Sequence, residues 1–428
     1  MAGWNSHWVT LGAALATTSL LTGCGSPAAS FVRYETYVHK VERDTGDPKF
    51  RMSGSQLSEI DELLAASFGT PDDPIVPDVE GADLLDVDLL KMAAGPVSSA
   101  EDGSPRGLYR EHCAHCHGIT GDGNGPTAAF LNPYPRDYRP GKFKFKSTPV
   151  GSKPTHSDLK KIVLDGIPGT AMPSFKLLTD VEVEALVHYV KYLAIRGEVE
   201  RGLLRKSVNE LDFEQDPNAR LVSLVAENAT PEQKTVQNDQ LAAIKDEIAG
   251  VVGKWSSADE AVVAIGARRS MTAEELVASQ RRGRELFYGT VANCVKCHGD
   301  SSLGDGQLTD YDDWAGEFIG KEANQQQLIR EFVAVGLPEP RNIRPRNLRQ
   351  GVYRGGMRPI DLFWRIRNGI EGSPMPASTM KPEGDAAAKG LTVDDIWDIV
   401  NYVQSLPFEP ISNPLDAVPT APERQRSS

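Results

Sequence analysis

Four of the five cysteines fall in two pentads of one pattern, "CAHCH" at 113–117 and "CVKCH" at 294–298. Each carries two thiols one helical turn apart and a histidine directly after the second. With 5 Cys and 8 His in 428 residues, one such pentad is expected by chance in about one chain in a thousand, and two in about one in a million. The fold must accommodate this turn twice.

Three chemistries use paired thiols. A thioredoxin-type redox pair needs its CxxC at a helix start after a strand, with no call for a following histidine, and neither flank offers such a strand. One zinc ion held by Cys113, Cys116, Cys294 and Cys297 would have to join pairs 181 residues apart, each in its own repeat. Covalent haem attachment uses every element: the thiols bond the haem vinyl groups from one turn, and His117 or His298 points its imidazole at the iron. From the same turn His112 and His115 cannot do that, and they read as polar residues beside the haem edge. Two haem c groups, with their iron, are the expected cofactors.

A second repeat supplies a candidate for the opposite face of each iron. "DLKKIVLDGIPGTAMPSF" (158–175) aligns without gaps on "DLFWRIRNGIEGSPMPAS" (361–378), pairing Gly166 with Gly369, Gly169 with Gly372 and Met172 with Met375. An amphipathic helix thus leads twice into a Gly-rich loop that presents a methionine, a soft neutral ligand that favours ferrous iron. Spacing alone would prefer Met357 over Met375 in the second copy, and Met380 is also near; the shared loop selects Met375.

The flanking helices repeat too. "LTDVEVEALVHYVKYL" (178–193) and "LTVDDIWDIVNYVQSL" (391–406) each open on a capping box, Thr179 with Glu182 and Thr392 with Asp395. Leu186, Tyr189, Val190 and Leu193 recur at helical spacing as Ile399, Tyr402, Val403 and Leu406, which reads as core. Short segments with glycine and aromatics, "GLYREH" at Gly107 and "GRELFYG" at Gly283, precede the pentads, where glycine lets another helix cross closely.

In this order of elements, residues 101–200 and 277–410 each resemble a class I cytochrome c domain. The resemblance implies a mainly α fold with two such domains; composition and pattern place a helical connector (201–276) between them, an export leader (1–23) and an extended, acidic, Pro-rich tether (24–100) before them, and a disordered tail (411–428) after. It also implies that Pro126 lends its carbonyl to orient His117, while the second copy has Thr309 at the aligned position and holds His298 differently. In "PRDYRPG" (135–141) and "PRNLRQG" (345–351), Arg136, Arg139, Arg346 and Arg349 either pair with haem propionates or form a solvated basic loop.

The formal net charge of -13 repels phosphate backbones and argues against a nucleic-acid partner. The first 24 residues read as an export signal, and Leu21-Thr22-Gly23-Cys24 resembles a bacterial lipobox, with Cys24 the lipidated residue and the lipid an anchor to a membrane. The 26-residue stretch "YDDWAGEFIGKEANQQQLIREFVAVG" has no counterpart in the first copy and reads as extra packing or a partner surface.

Together these features describe a dihaem cytochrome c anchored on the periplasmic side of a membrane. It would carry single electrons in a respiratory or periplasmic chain, with a respiratory complex or periplasmic dehydrogenase as partner. The rivals are a dihaem peroxidase-like enzyme with an openable haem in 277–410, and a haem-based sensor.

Overall fold

The computed structural model of the protein describes residues 28–97 and 106–409, apart from 214, 217, 227, 267–269, 321–324, 383 and 386 and the side chains of 313 and 314. The export leader, Cys24 and the tail 411–428 lie outside the described residues.

Of the region 24–100 expected as an extended tether, the described residues 28–97 are instead folded. This part forms helices α1 (Glu35–Asp44), α2 (Gly54–Phe68) and α3 (Val87–Ala93). Tyr34, Leu64, Phe68 and Leu90 from it are almost wholly buried, and Tyr192 of the first unit donates its hydroxyl to Phe68 O. The acidity that suggests a solvated tether is spent locally. Asp86 caps α3 by accepting from Asp88 N and Leu89 N, buried Glu59 accepts from Leu221 N and Val222 N, and Asp72 pairs with Arg110.

The first unit continues with α4 (Leu108–His112), α5 (Ala114–His117), α6 (His156–Asp165) and α7 (Asp180–Glu210). The Thr179–Glu182 capping box starts α7, as the sequence predicts, but α7 runs well past Leu193 to Glu210. Its apolar periodicity fades because packed structure surrounds it, so residues on nearly every side of the helix are buried. Helix α8 (Pro231–Ser256), opened by a Thr230–Gln233 capping box, lays Ile244, Ile248, Val251 and Val252 into the same core.

The second unit holds α9 (Ala273–Tyr288), α10 (Val295–His298), α11 (Asp313–Ile319), α12 (Gln325–Ala334), α13 (Pro359–Asn368) and α14 (Val393–Ser405). Helices α9 and α14 cross at Gly283, where a methyl group would lie 2.0 Å from Asp398 O. Gly107 serves the chain in another way, taking φ +69° at the start of α4 against the carbonyl of Pro96. An aromatic pair marks the helix crossing in both copies, Tyr109 on Tyr189 at 4.9 Å and Phe287 on Tyr402 at 5.4 Å between ring centres.

The insertion that distinguishes the second copy, α11 and α12, buries Phe318, Ile319, Leu328 and Phe332 in the core of the first unit. Lys142 and Arg201 hold Glu317 from the first unit, and Arg43 holds Glu331 at 2.6 Å. Arg341 reaches back to Leu131 O and Ala129 O and stacks on Tyr134. The two units are therefore clamped together.

Candidate functional site

Both pentads fold as short helical turns whose thiols and imidazoles open on one cavity of about 1630 Å³ shared by the two units. Cys113, Cys116, Cys294 and Cys297 are in no disulfide, so all four can bond haem, and burial pushes the Cys113 and Cys294 thiols up to about 12 before attachment.

His117 Nδ1 lies 2.9 Å from Arg136 O, and His298 Nδ1 lies 3.1 Å from Arg346 O. A carbonyl can only accept, so Nδ1 carries the proton and Nε2 keeps its lone pair free for a metal. Burial, against the opposing pull of that hydrogen bond, brings His117 down to about 4 and also lowers His298. Both rings are thus neutral at pH 7, the form that ligates iron.

The carbonyl that orients each histidine therefore belongs to an arginine, which corrects the expectation for Pro126: that residue is exposed and its carbonyl is not the acceptor. The expected alignment of Thr309 with Pro126 also changes. Gly123 N donates to His117 O and Gly304 N to His298 O, both at 2.9 Å, so the loops match without a gap from the cysteines and Gln307 corresponds to Pro126. In this register Ser302, at φ +59°, stands where the first copy has Gly121 at φ +72°. The two histidines are held alike. The repeated Pro-Arg-Asx segments were the available signal for it.

Met172 and Met375 both line the cavity, whereas Met357 is 53 % exposed and neither it nor Met380 forms part of the cavity wall. The two methionine loops have one geometry. Ile167 N donates to Met172 O at 3.1 Å and Ile370 N to Met375 O at 3.0 Å, while Thr170 and Ser373 hydroxyls accept from the methionine amides.

The arginine expectations divide. Arg136 and Arg346 line the cavity. Arg139 does not: it is buried on Asp137 and lies over the Tyr34 ring at 3.6 Å, facing the N-terminal helices. Arg349 is also turned away, to Ser301 O and to Glu409 at 2.9 Å. A neighbouring carboxylate captured each of these two.

His112 and His115 stand at the cavity wall, His112 edge-on to Phe175. Leu186, Val190, Ile399 and Val403, expected as core alone, are buried and line the cavity as well. Tyr138, which sequence reasoning passed over, stacks on His117 with ring centres 4.7 Å apart. The donor set fits haem c twice: paired thiols, a neutral imidazole with a free Nε2, a thioether on the wall and apolar surroundings.

Comparison of the sequence with known proteins points to the same cofactor. Residues 100–190 match the family model "Cytochrome C oxidase, cbb3-type, subunit III", and residues 280–407 match "Cytochrome c". Cytochrome c55X of Paracoccus denitrificans (strain Pd 1222) is 34% identical over 101 residues, which is 23% of this chain and 79% of that protein. A chain of the Kuenenia stuttgartiensis reducing HAO-like protein complex superposes with a TM-score of 0.43 at 22% identity, covering 73% of this chain and 98% of that one. The chain belongs to the c-type cytochromes: it has two class I domains, binds two covalently attached haem c groups and transfers electrons through them.

Proposed function

We propose that the protein is a dihaem electron carrier with His117 and Met172 as axial ligands of one iron and His298 and Met375 as those of the other. The observation that carries this reading is the likeness of the two sites on one shared cavity, histidine carbonyl and methionine loop included. When bound, each haem supplies one-electron cycling between Fe(III) and Fe(II). The chain's own part is to attach the groups through four thiols, to keep both imidazoles neutral and oriented, and to exclude water with apolar walls.

The peroxidase-like alternative needs a second site built differently from the first. Arg346 O holds His298 as Arg136 O holds His117, and Met357 and Met380 stand off the cavity wall, so the carrier reading is favoured. We place the carrier on the periplasmic side of a membrane, anchored through a lipidated Cys24, on the strength of the leader and the Leu21-Thr22-Gly23-Cys24 stretch. Its partners are redox proteins. The similarity of its first domain to a cbb3-type oxidase subunit supports a respiratory setting, and a periplasmic dehydrogenase is the alternative donor.

The test is a carbon monoxide difference spectrum of the reduced holoprotein with covalent haem counted in the same sample. Two haems that bind no carbon monoxide are expected. Carbon monoxide binding would show an open iron and overturn the carrier reading in favour of an enzyme or sensor.

A further inference from the structure

Each unit sends an arginine across the cavity to the methionine loop of the other. Arg346, whose carbonyl holds His298, extends its guanidinium over Gly169 of the first unit, where a methyl group on Gly169 would lie 2.6 Å from Nη2. Arg136, whose carbonyl holds His117, stands over Gly372 of the second unit, with 3.2 Å to Nη1 by the same measure. Arg354 joins the first pair by donating to Gly169 O at 3.4 Å.

This crossing gathers positive charge with little to balance it. Arg136 and Arg354 act electrostatically on Lys144, and Arg346 acts on Arg354, whose pKa is lowered by burial and then by that neighbour. Lys144 pairs with Asp312. Among the described residues no carboxylate forms an ion pair with Arg136, Arg346 or Arg354. Partly buried cations without counter-ions are unfavourable, so the cluster is built for anions brought into the cavity. Haem c brings carboxylates of its own, its propionates, and the arginines that meet a given methionine loop come from the opposite unit.

We propose that the two arginines work crosswise: Arg346 is a positioning residue for the haem attached to the first unit and Arg136 for the haem attached to the second. Each potential is then set in part by the other unit. The inference rests on two haems occupying the shared cavity, each against the methionine loop of its own unit, and does not require the methionine to be the sixth ligand. Adding an electron to an iron lowers the charge of its site by one, so a nearby guanidinium favours the reduced form and raises the potential.

The experiment is an NMR-followed redox titration of the full holoprotein. Each haem is assigned by nuclear Overhauser contacts to Val190 of the first unit or Val403 of the second, so the assignment survives even if the sixth ligands are not methionine. Arg346→Gln is expected to lower the potential of the first unit's haem at least about twice as far as that of the other, because the interaction weakens with distance. Arg136→Gln is expected to do the reverse, and Arg346→Lys to restore most of the shift. An Arg346→Gln protein that shifts chiefly its own unit's haem, or neither haem at an unchanged melting temperature, overturns the proposal. Arg354→Gln, which removes a second cation from Gly169, decides the matter in the same way if Arg346→Gln unfolds.

Discussion

Arg201, on the long helix of the first domain, donates to Glu317 of the second-domain insertion at 2.5 Å, with side chains 12% and 16% exposed. Burial alone would raise the Glu317 pKa, but Arg201 and Lys142 together outweigh it and hold the carboxylate below its ordinary value of 4.5. Glu317→Ala leaves two cations without their partner and is expected to cost on the order of 3 kcal/mol, read as a lower denaturation midpoint. Because the folded pKa is depressed, this contribution is present above 4.5 and disappears as pH falls through the folded value. In the Glu317→Ala protein that part of the acid sensitivity should vanish.

A second acid step belongs to His188, whose Nδ1 accepts from Asp86 N at 3.0 Å. Burial, then Lys191 and His156, bring it from 6.5 down to about 4. The unfolded chain takes up a proton that the folded chain refuses, so stability complete above 6.5 is lost as pH falls from 6.5 towards 4. His188→Gln should flatten the stability curve across that window, and an unchanged slope would show that His188 does not titrate there.

Met375→His exchanges a soft thioether for an imidazole and is expected to lower one haem potential strongly while leaving the other nearly unchanged. Met357→Leu, at an exposed position off the cavity wall, should move neither. Spectroelectrochemical titration of the two variants side by side checks the ligand assignment.

Gly283→Ala separates intrinsic helix propensity from tertiary packing by the sign of its effect. In an isolated helix the change stabilises by about 1 kcal/mol. Here the new methyl group would lie 2.0 Å from Asp398 O and 2.8 Å from Tyr402 Cβ, so the two helices must separate. The expected result is a net loss of about 1–3 kcal/mol, measured by thermal or denaturant melting.

Much of the candidate site is legible in the sequence, because it is written in short range. Two thiols and a histidine must share one turn to serve one haem, so the pentads declare themselves, and the methionine loops repeat with their glycines and hydroxyl residues in step. The capping boxes at Thr179 and Thr392 were equally readable, since a cap involves residues three apart. Charge misled where it was read by composition. The acidic segment 24–100 reads as an extended tether, but carboxylates of its described part, 28–97, cap a helix and pair with Arg110 and with the backbone at Leu221 and Val222.

The sequence by itself determined the cofactor, two covalently attached haem c groups, because covalent attachment depends on residue type and on spacing within one turn. Only the tertiary structure decided which groups surround that chemistry. That Arg136 and Arg346 hold the histidines, that Arg349 is lost to Glu409, and that the insertion of one domain completes the core of the other all follow from packing between distant segments. The reason is physical: an arginine's partner is whichever carboxylate or carbonyl the fold brings within reach, and no local pattern records that choice.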